Sequence, residues 1–257
     1  MTARASHKTE AFVLKSFSYG ESDLIVTFFS RDYGKVKGIA KGAKRSQKRF
    51  VNVFEPFSLT SVNFTIKNRD ALAFIDACDV IDPYAPLRQN LEKSLVASYF
   101  TDLVDHFSPE GKVNERLFAL LADFLSLIAR ENTSDAILRF FEIRLLKYAG
   151  FEPTLGACIR CKSPLANGAS YSFFAREGGI ICPFCMPSEA PDLKISAGTI
   201  RTLILGRDMD IEKIRTVIFP SPLAAEARHM MRHFITHVLG KEIKSLNVLE
   251  QVRRYCL

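Results

Sequence analysis

Over the first eighty residues, apolar and polar positions alternate in short spans, as half-buried strands do. Ala11-Phe12-Val13-Leu14 and Leu24-Ile25-Val26-Thr27-Phe28-Phe29 are rich in β-branched and aromatic residues. Tyr19-Gly20 and Asp32-Tyr33-Gly34 interrupt them with turn chemistry. Val36, Gly38 and Ala40 alternate with Lys35, Lys37 and Lys41, which predicts a third strand with one basic face. Residues 57–66 read as a fourth strand and 71–75 as a fifth, with a tight connection at Asn68-Arg69-Asp70. Five short strands without a helical crossover suit a small barrel rather than a parallel sheet.

Beyond Pro83 the apolar period becomes 3.6. Leu87, Leu91, Leu95, Val96, Phe100, Leu103 and Phe107 form one stripe, ended by Pro109-Glu110-Gly111. Leu117, Leu121, Phe124 and Ile128 mark a second helix. Ile137, Leu138, Phe141, Leu145 and Tyr148 mark a third, stopped by Gly150 and Pro153. Further on, Ser196 can cap a short helix reaching Leu205-Gly206. Ser221-Pro222 makes an N-cap and N1 pair for a long helix ending at Gly240.

Between these helices lie Cys158-x2-Cys161 and, twenty residues later, Cys182-x2-Cys185. Two thiol pairs of this spacing predict a closed tetrahedral site for one structural Zn2+. All four ligands are sulfur and neither histidine nor carboxylate lies within either Cys-x2-Cys turn, so no open position remains for hydrolysis. A redox dithiol, an iron–sulfur cluster and an unmetallated site are the competing uses. Asn167-Gly168 and Gly178-Gly179 supply turns around Ser170-Tyr171-Ser172-Phe173-Phe174, which reads as one strand of a ribbon hairpin. Cys78 and Cys256 suggest no disulfide framework, a usage that fits a reducing cytoplasm.

Charge changes the picture most. The 257-residue chain is 47% hydrophobic and 25% charged, as ordinary globular proteins are. No apolar run approaches the roughly 18 residues that cross a bilayer, and the start lacks the apolar region of a signal peptide. Neither feature predicts a membrane partner. The formal net charge is +7. Residues 31–49 carry Arg31, Lys35, Lys37, Lys41, Lys44, Arg45, Lys48 and Arg49 against Asp32 alone, so the rest of the chain balances to zero. Such a field attracts a polyanion. Gly38 to Arg49 contains neither a P-loop nor a dinucleotide-binding glycine pattern. A basic strand running into a basic loop can follow a phosphate backbone, and Tyr19, Tyr33, Phe50 and Phe54 are candidates to stack bases, although core is the commoner place for each. Contact with four to six phosphates predicts a log–log salt slope of about −3 to −4 on single strands. A solvated loop, a membrane surface and an acidic protein partner are the alternative readings of the run.

His229, His233 and His237 recur every four residues on the last long helix, without an H-E-x-x-H pattern. They read as an interface or surface edge. Arg139, Arg144 and Lys147, beside apolar stripes on the third helix, suggest a groove for an acidic peptide. No Ser/His/Asp or Cys/His set stands out, and Glu21, Asp23, Glu55, Asp76, Asp79 and Asp82 are scattered as turn or solubilising residues, so catalysis is not expected.

Taken together, Ser18-Tyr19-Gly20-Glu21-Ser22-Asp23, Tyr33-Gly34-Lys35, Ala40-Lys41-Gly42-Ala43-Lys44-Arg45 and Phe54-Glu55-Pro56-Phe57 resemble the RecO family of bacterial recombination mediators. The helix end Glu142-x2-Leu145-Leu146-x3-Gly150-Phe151-x-Pro153 extends the likeness, which covers nearly the whole chain. The resemblance implies an α+β fold: an N-terminal five-stranded OB-type barrel (1–82), then an all-helical domain (83–155 and 193–257) interrupted by a four-cysteine zinc ribbon (156–192). It implies a cytoplasmic, nucleoid-associated protein that binds single- and double-stranded DNA and anneals complementary strands. With RecR it would load RecA onto DNA coated by single-strand-binding protein, whose acidic C-terminal tail would dock on the helical domain. A zinc-ribbon enzyme modifying nucleic acid and an assembly factor that binds proteins only are the rival functions.

Overall fold

The computed structural model describes residues 6–66, 72–187 and 190–255. The expected Asn68–Asp70 connection and Cys256 lie outside them. In chain order the elements are β1 (Ser6–Tyr19), β2 (Asp23–Ser30), β3 (Gly34–Ala40), β4 (Leu59–Thr65), β5 (Ala73–Asp82), α1 (Ala85–Gln89), α2 (Leu91–Phe107), α3 (Glu115–Arg130) and α4 (Asp135–Ala149). There follow β6 (Ser170–Phe174), β7 (Gly179–Ile181), β8 (Leu193–Ser196), α5 (Ala197–Asp208), α6 (Ile211–Ile214), α7 (Ser221–Leu239) and α8 (Lys244–Tyr255). Two compact units result, Met1–Arg130 with Ser245–Leu257, and Glu131–Lys244.

In the first unit, the five strands close into a barrel in the order β1-β2-β3-β5-β4. β1 pairs with β4 through its first half and with β2 through its second, so one strand serves both sides of the closure. It extends well beyond Ala11–Leu14 because a barrel strand needs only alternate residues inside. His7, at the chain start, is part of it, with Nδ1 3.2 Å from the Tyr33 hydroxyl. A register shift between Val13 and Lys15 marks a bulge. Ala11 and Val13 point into the core with Val26, Phe28, Val62 and Phe64. β3 and β5 close the barrel in parallel at Gly38↔Ala73 and Ile39↔Phe74. A Cβ at Gly38 would sit 2.8 Å from the Ile75 side chain, so glycine is required for that approach.

The stripe expected from Leu87 is two helices. Asn90 is extended and its side chain accepts from the Lys93 N–H at 3.0 Å, starting α2 afresh. Such a cap is worth about 1 kcal/mol. Phe118 of α3 packs on Phe12 and Phe29, the outward apolar residues of the barrel, with ring centroids 5.0 and 6.1 Å away. α8 is tied to α2 by Ser245–Asp102 (2.8 Å) and Arg253–Glu92 (2.8 Å).

The second unit is built on α4, whose residues Ala136 to Leu146 are all buried. α5 crosses it at Gly206, where a Cβ would lie 2.0 Å from the Phe140 ring. Ser196 caps α5 by accepting from Thr199 N–H at 3.2 Å, as expected. α7 begins one residue earlier in its cap than expected, with Pro220 as N-cap and Ser221 as first helical residue. The cysteine segment is a three-stranded sheet, β7-β6-β8, rather than a hairpin alone. Its Phe173 meets Phe234 of α7 edge-on at 5.5 Å, which supplies the core a small ribbon lacks.

Candidate nucleic-acid interface and metal centre

The loop leaving β3 is fixed before it carries any charge outward. Gly42 takes the left-handed conformation (φ 68°) and its N–H donates to Asp23 Oδ1 at 2.8 Å. The Lys44 N–H donates to the Ser22 carbonyl at 2.9 Å, and Ala43 to Arg45 form a single 3-10 turn. Ser46 Oγ accepts from the N–H groups of Arg49 and Phe50 at 3.0 Å each. Phe50, Val53 and Phe54 then enter the barrel core, so the loop is anchored at both ends. The Gly42 N–H, followed by the Ser22 hydroxyl, holds the Asp23 carboxyl below the usual carboxylate range. Asp23 is therefore a positioning residue for the loop, not a scattered turn acid. Its main partner lies nineteen residues away, and no local pattern signals it.

The eight predicted cations separate into two sets. Arg31 Nη2 lies 2.7 Å from Glu10, Lys37 Nζ 2.5 Å from Glu110, and Arg45 Nη2 3.5 Å from Glu21. Lys35 is mostly buried, with Nζ 3.1 Å from Asp105 Oδ1 and 2.6 Å from the Asp105 carbonyl oxygen. Lys15 reaches the same carboxylate at 2.7 Å. Burial works against ionisation of Asp105, but the Lys15 hydrogen bond and the Lys35 charge outweigh it and hold the carboxyl low. These four cations are thus offset by acids the local count did not include. Lys35 in particular joins the barrel to α2 rather than facing solvent.

Lys41, Lys44, Lys48 and Arg49 form the second set. All are exposed, and none has an ion pair among the described residues. Lys44 Nζ donates to the Gly20 carbonyl (2.9 Å) and Arg49 Nη2 to the Lys41 carbonyl (2.7 Å), contacts to neutral oxygens, while Lys41 and Lys44 feel the Asp23 carboxylate only through space. Lys41 sits 5.5 Å above the Phe74 ring and Arg49 4.4 Å above Phe50. Of the aromatic candidates, Phe50 and Phe54 are core and Tyr33 packs edge-on to Phe64, while Tyr19 is exposed. Phe17, which the sequence pattern did not single out, is equally exposed.

Arg139 and Arg144 do not line a surface groove. Arg139 is 1% exposed and pairs with the buried Glu142 at 2.8 Å. Arg144 is buried and donates through Nε to the Gly206 carbonyl at 2.8 Å and through Nη2 to that of Met209, tying α4 to the end of α5. Lys147 pairs with Asp208 at 3.0 Å. The helical period that places charges beside an apolar stripe cannot distinguish a groove from a helix buried on every side. In the histidine row, His233 lies 3.6 Å from Asp192, and the three rings are not brought together as ligands among the described residues.

Cys158, Cys161, Cys182 and Cys185 do converge, with all four Sγ atoms within 4.8 Å of one another. Each pair turns tightly: the Lys162 N–H donates to the Cys158 carbonyl (2.9 Å) and the Cys185 N–H to that of Cys182 (3.1 Å). The Ile159 N–H to Ile180 carbonyl bond (2.9 Å) brings the two turns together. The Cys161–Cys182 sulfur separation is 3.7 Å. A tetrahedron with Zn–S bonds of about 2.3 Å has edges of about 3.8 Å, so the donors fit such an ion. The Ser163 hydroxyl pulls Cys161 down to about 6, and hydrogen bonding to Cys161 and then Cys182 pushes Cys185 up to about 12. The cluster is capable of coordinating a metal ion. No helix among the described residues is long and apolar enough to cross a membrane.

Comparison with known proteins agrees in both halves of the chain. The family model described as "Recombination protein O N terminal" matches residues 1–84, and "Recombination protein O C terminal" matches 88–247. The "DNA repair protein RecO" of Syntrophus aciditrophicus is 50% identical over 256 residues, 99% of either chain. That of Geobacter metallireducens is 34% identical over 247 residues, covering 96% of this chain and 98% of its own. That of an Anaeromyxobacter strain is 31% identical over 245 residues, 95% and 96%.

Proposed function

The chain belongs to the RecO family of recombination and DNA repair proteins, and from that premise we propose that it is a non-enzymatic mediator that anneals complementary DNA strands. Working with RecR, it would help place RecA on strands coated by single-strand-binding protein, in the cytoplasm and at the nucleoid. The observation that carries the reading is the set of four exposed loop cations, Lys41, Lys44, Lys48 and Arg49, without ion pairs among the described residues on a loop fastened at both ends.

Annealing needs no covalent step. Two strands repel through their phosphates, and cations that displace the condensed counterions lower that repulsion until base pairing takes over. A loop held by Asp23 and Ser46 presents its charges without first paying the full entropy of ordering them. The OB-type barrel, with loops at its rim, is a common platform for oligonucleotides. Arg31, Lys35, Lys37 and Arg45 remain candidates only where a phosphate can compete with their carboxylates. The acidic tail of single-strand-binding protein is a partner on the family resemblance, and its docking residues would have to be other than Arg139 and Arg144. The cysteine cluster is read as a structural Zn2+ site. With the ion bound, four thiolates staple the ribbon, and this chain's own contribution is the pair of tight turns and the packing of Phe173 on α7.

The test is strand annealing followed by fluorescence, for wild type and for Lys41→Gln/Lys44→Gln/Lys48→Gln/Arg49→Gln. The variant should retain its fold and lose most of the acceleration. Wild-type rates in a folded variant would refute the assignment.

A further inference from the structure

Two exposed acids stand against cations beside the loop, and backbone contacts hold each of them in place. Glu21 lies in the β1–β2 turn, its side chain 91% exposed and its carboxylate 3.5 Å from Arg45. That turn is fastened to the loop, because the Gly20 carbonyl accepts from Lys44 Nζ and the Ser22 carbonyl from the Lys44 N–H, each at 2.9 Å. Glu110 lies between α2 and α3, its side chain 59% exposed and its carboxylate 2.5 Å from Lys37. Here the Gly111 N–H donates to the Lys35 carbonyl at 3.0 Å. Gly34 lies so close to the same connection that a Cβ would meet the Lys112 carbonyl oxygen at 2.1 Å. A third exposed pair, Glu10 with Arg31, lies at the other end of the barrel. Leu24 pairs with Ala40 beside the loop, whereas Arg31 follows Ser30, which pairs with Gly34. The strand from Leu24 to Arg31 spans about 23 Å.

Exposed pairs of this kind contribute little to stability, unlike the mostly buried Lys35–Asp105 contact. Their larger effect is on a competing anion. Arg45 belongs to the loop itself, and Lys37 shares β3 with the cations that follow it, about 13 Å before Lys41. Each carboxylate therefore removes one cation from those that a phosphate engages without competition. The subtraction weighs more on a duplex than on a single strand. Each neutralised phosphate contributes about −0.9 to the log–log salt slope on a duplex and about −0.7 on a single strand. With four cations engaged, the duplex gains on the single strand about 6-fold for each tenfold dilution of salt, and with six about 16-fold.

We propose that Glu21 and Glu110 govern product release: they compete with DNA phosphates for Arg45 and Lys37, and so keep the surface from retaining the duplex it has annealed. The proposal rests on the nucleic-acid reading above and adds the residues that set the balance between capture and release. A role as structural staples fits poorly with the exposure of both pairs, which solvent and salt screen. Net charge alone does not describe the effect, since Glu10 carries the same charge away from the loop.

Salt-series anisotropy and strand annealing test this on wild type, Glu21→Gln/Glu110→Gln and Glu10→Gln. The single-strand slope should steepen from about −2.8 to about −4.2 in the double variant, as the cations engaged rise from four to six. Glu10→Gln should keep the wild-type slope. Adding Lys37→Gln/Arg45→Gln to the double variant should return it to the wild-type value. Duplex affinity of the double variant should rise about 60-fold over wild type for each tenfold dilution of salt. Annealing with strands in excess should therefore slow, while annealing at stoichiometric protein should not. Urea melts of all variants should match wild type, and a marked loss of stability in the double variant would assign the two carboxylates to the fold instead. An unchanged slope in the double variant, equal steepening in Glu10→Gln, or undiminished turnover with excess strands would each overturn the proposal and leave the loop assignment standing. Failure of wild type to bind either strand at low salt would overturn both.

Discussion

The division of eight cations into two sets makes a quantitative prediction. Each single-strand phosphate neutralised contributes about −0.7 to the slope of log K against log salt. If only Lys41, Lys44, Lys48 and Arg49 engage phosphates, the wild-type slope is about −2.8, and affinity falls about 50-fold between roughly 50 and 200 mM salt. If all eight engage, the slope is about −5.6. The loop variant should lose nearly the whole slope. Lys35→Gln/Lys37→Gln should keep it, because those ammonium groups already face Asp105 and Glu110. The strand variant should instead lose stability, by about 1–3 kcal/mol, mainly from the mostly buried Lys35–Asp105 contact. The assay is fluorescence anisotropy of a labelled oligonucleotide across a salt series, with a urea melt of each protein. A wild-type slope near the steeper value, about −5.6, reduced equally by both variants, would refute the division.

Three further outcomes follow from particular contacts. Cys158→Ser should lower bound zinc from one ion per chain to none and destabilise the second unit without altering a chemical step, and full zinc stoichiometry by elemental analysis would contradict it. Gly206→Ala should cost about 1–3 kcal/mol in a urea melt despite alanine's better helix propensity, because its methyl meets the buried Phe140 ring; a gain in stability would show that the crossing can relax. Asp105 is held below its ordinary range in the folded chain, so its contribution is present above the unfolded carboxyl value of about 4 and is lost as pH falls through the lower folded value. Stability of the first unit, followed by thermal melts, should therefore drop with acid in wild type and drop less in Asp105→Asn.

Much of this was legible in residue order because its causes are local. The change from period two to period 3.6 at Pro83 separates barrel from helices, and the caps at Ser196 and Gly150 are set by their own neighbours. Two C-x2-C turns carry their ligand geometry with them wherever the chain folds. What stayed hidden depends on distant partners. Glu10, Glu21, Asp105 and Glu110 neutralise half of the cationic run from β1, the β1–β2 turn, α2 and the loop after it. The burial of Arg139 and Arg144 depends on α5 and α7 packing around α4. The exposure of Phe17 depends on a one-residue bulge, which inverts a strand's faces without altering its composition. β8 follows the cysteines and joins the ribbon by pairing with β6 across the interval that contains the second knuckle.

Photocrosslinking of wild-type protein to a thymidine oligonucleotide, read by mass spectrometry, tests most directly where the strand lies. Adducts should fall within residues 16–25 and 38–50, on the β1–β2 turn, the strand ends that flank it and the loop after β3. Adducts confined to residues 135–149 or to the cysteine ribbon, with the barrel unmarked, would contradict the account.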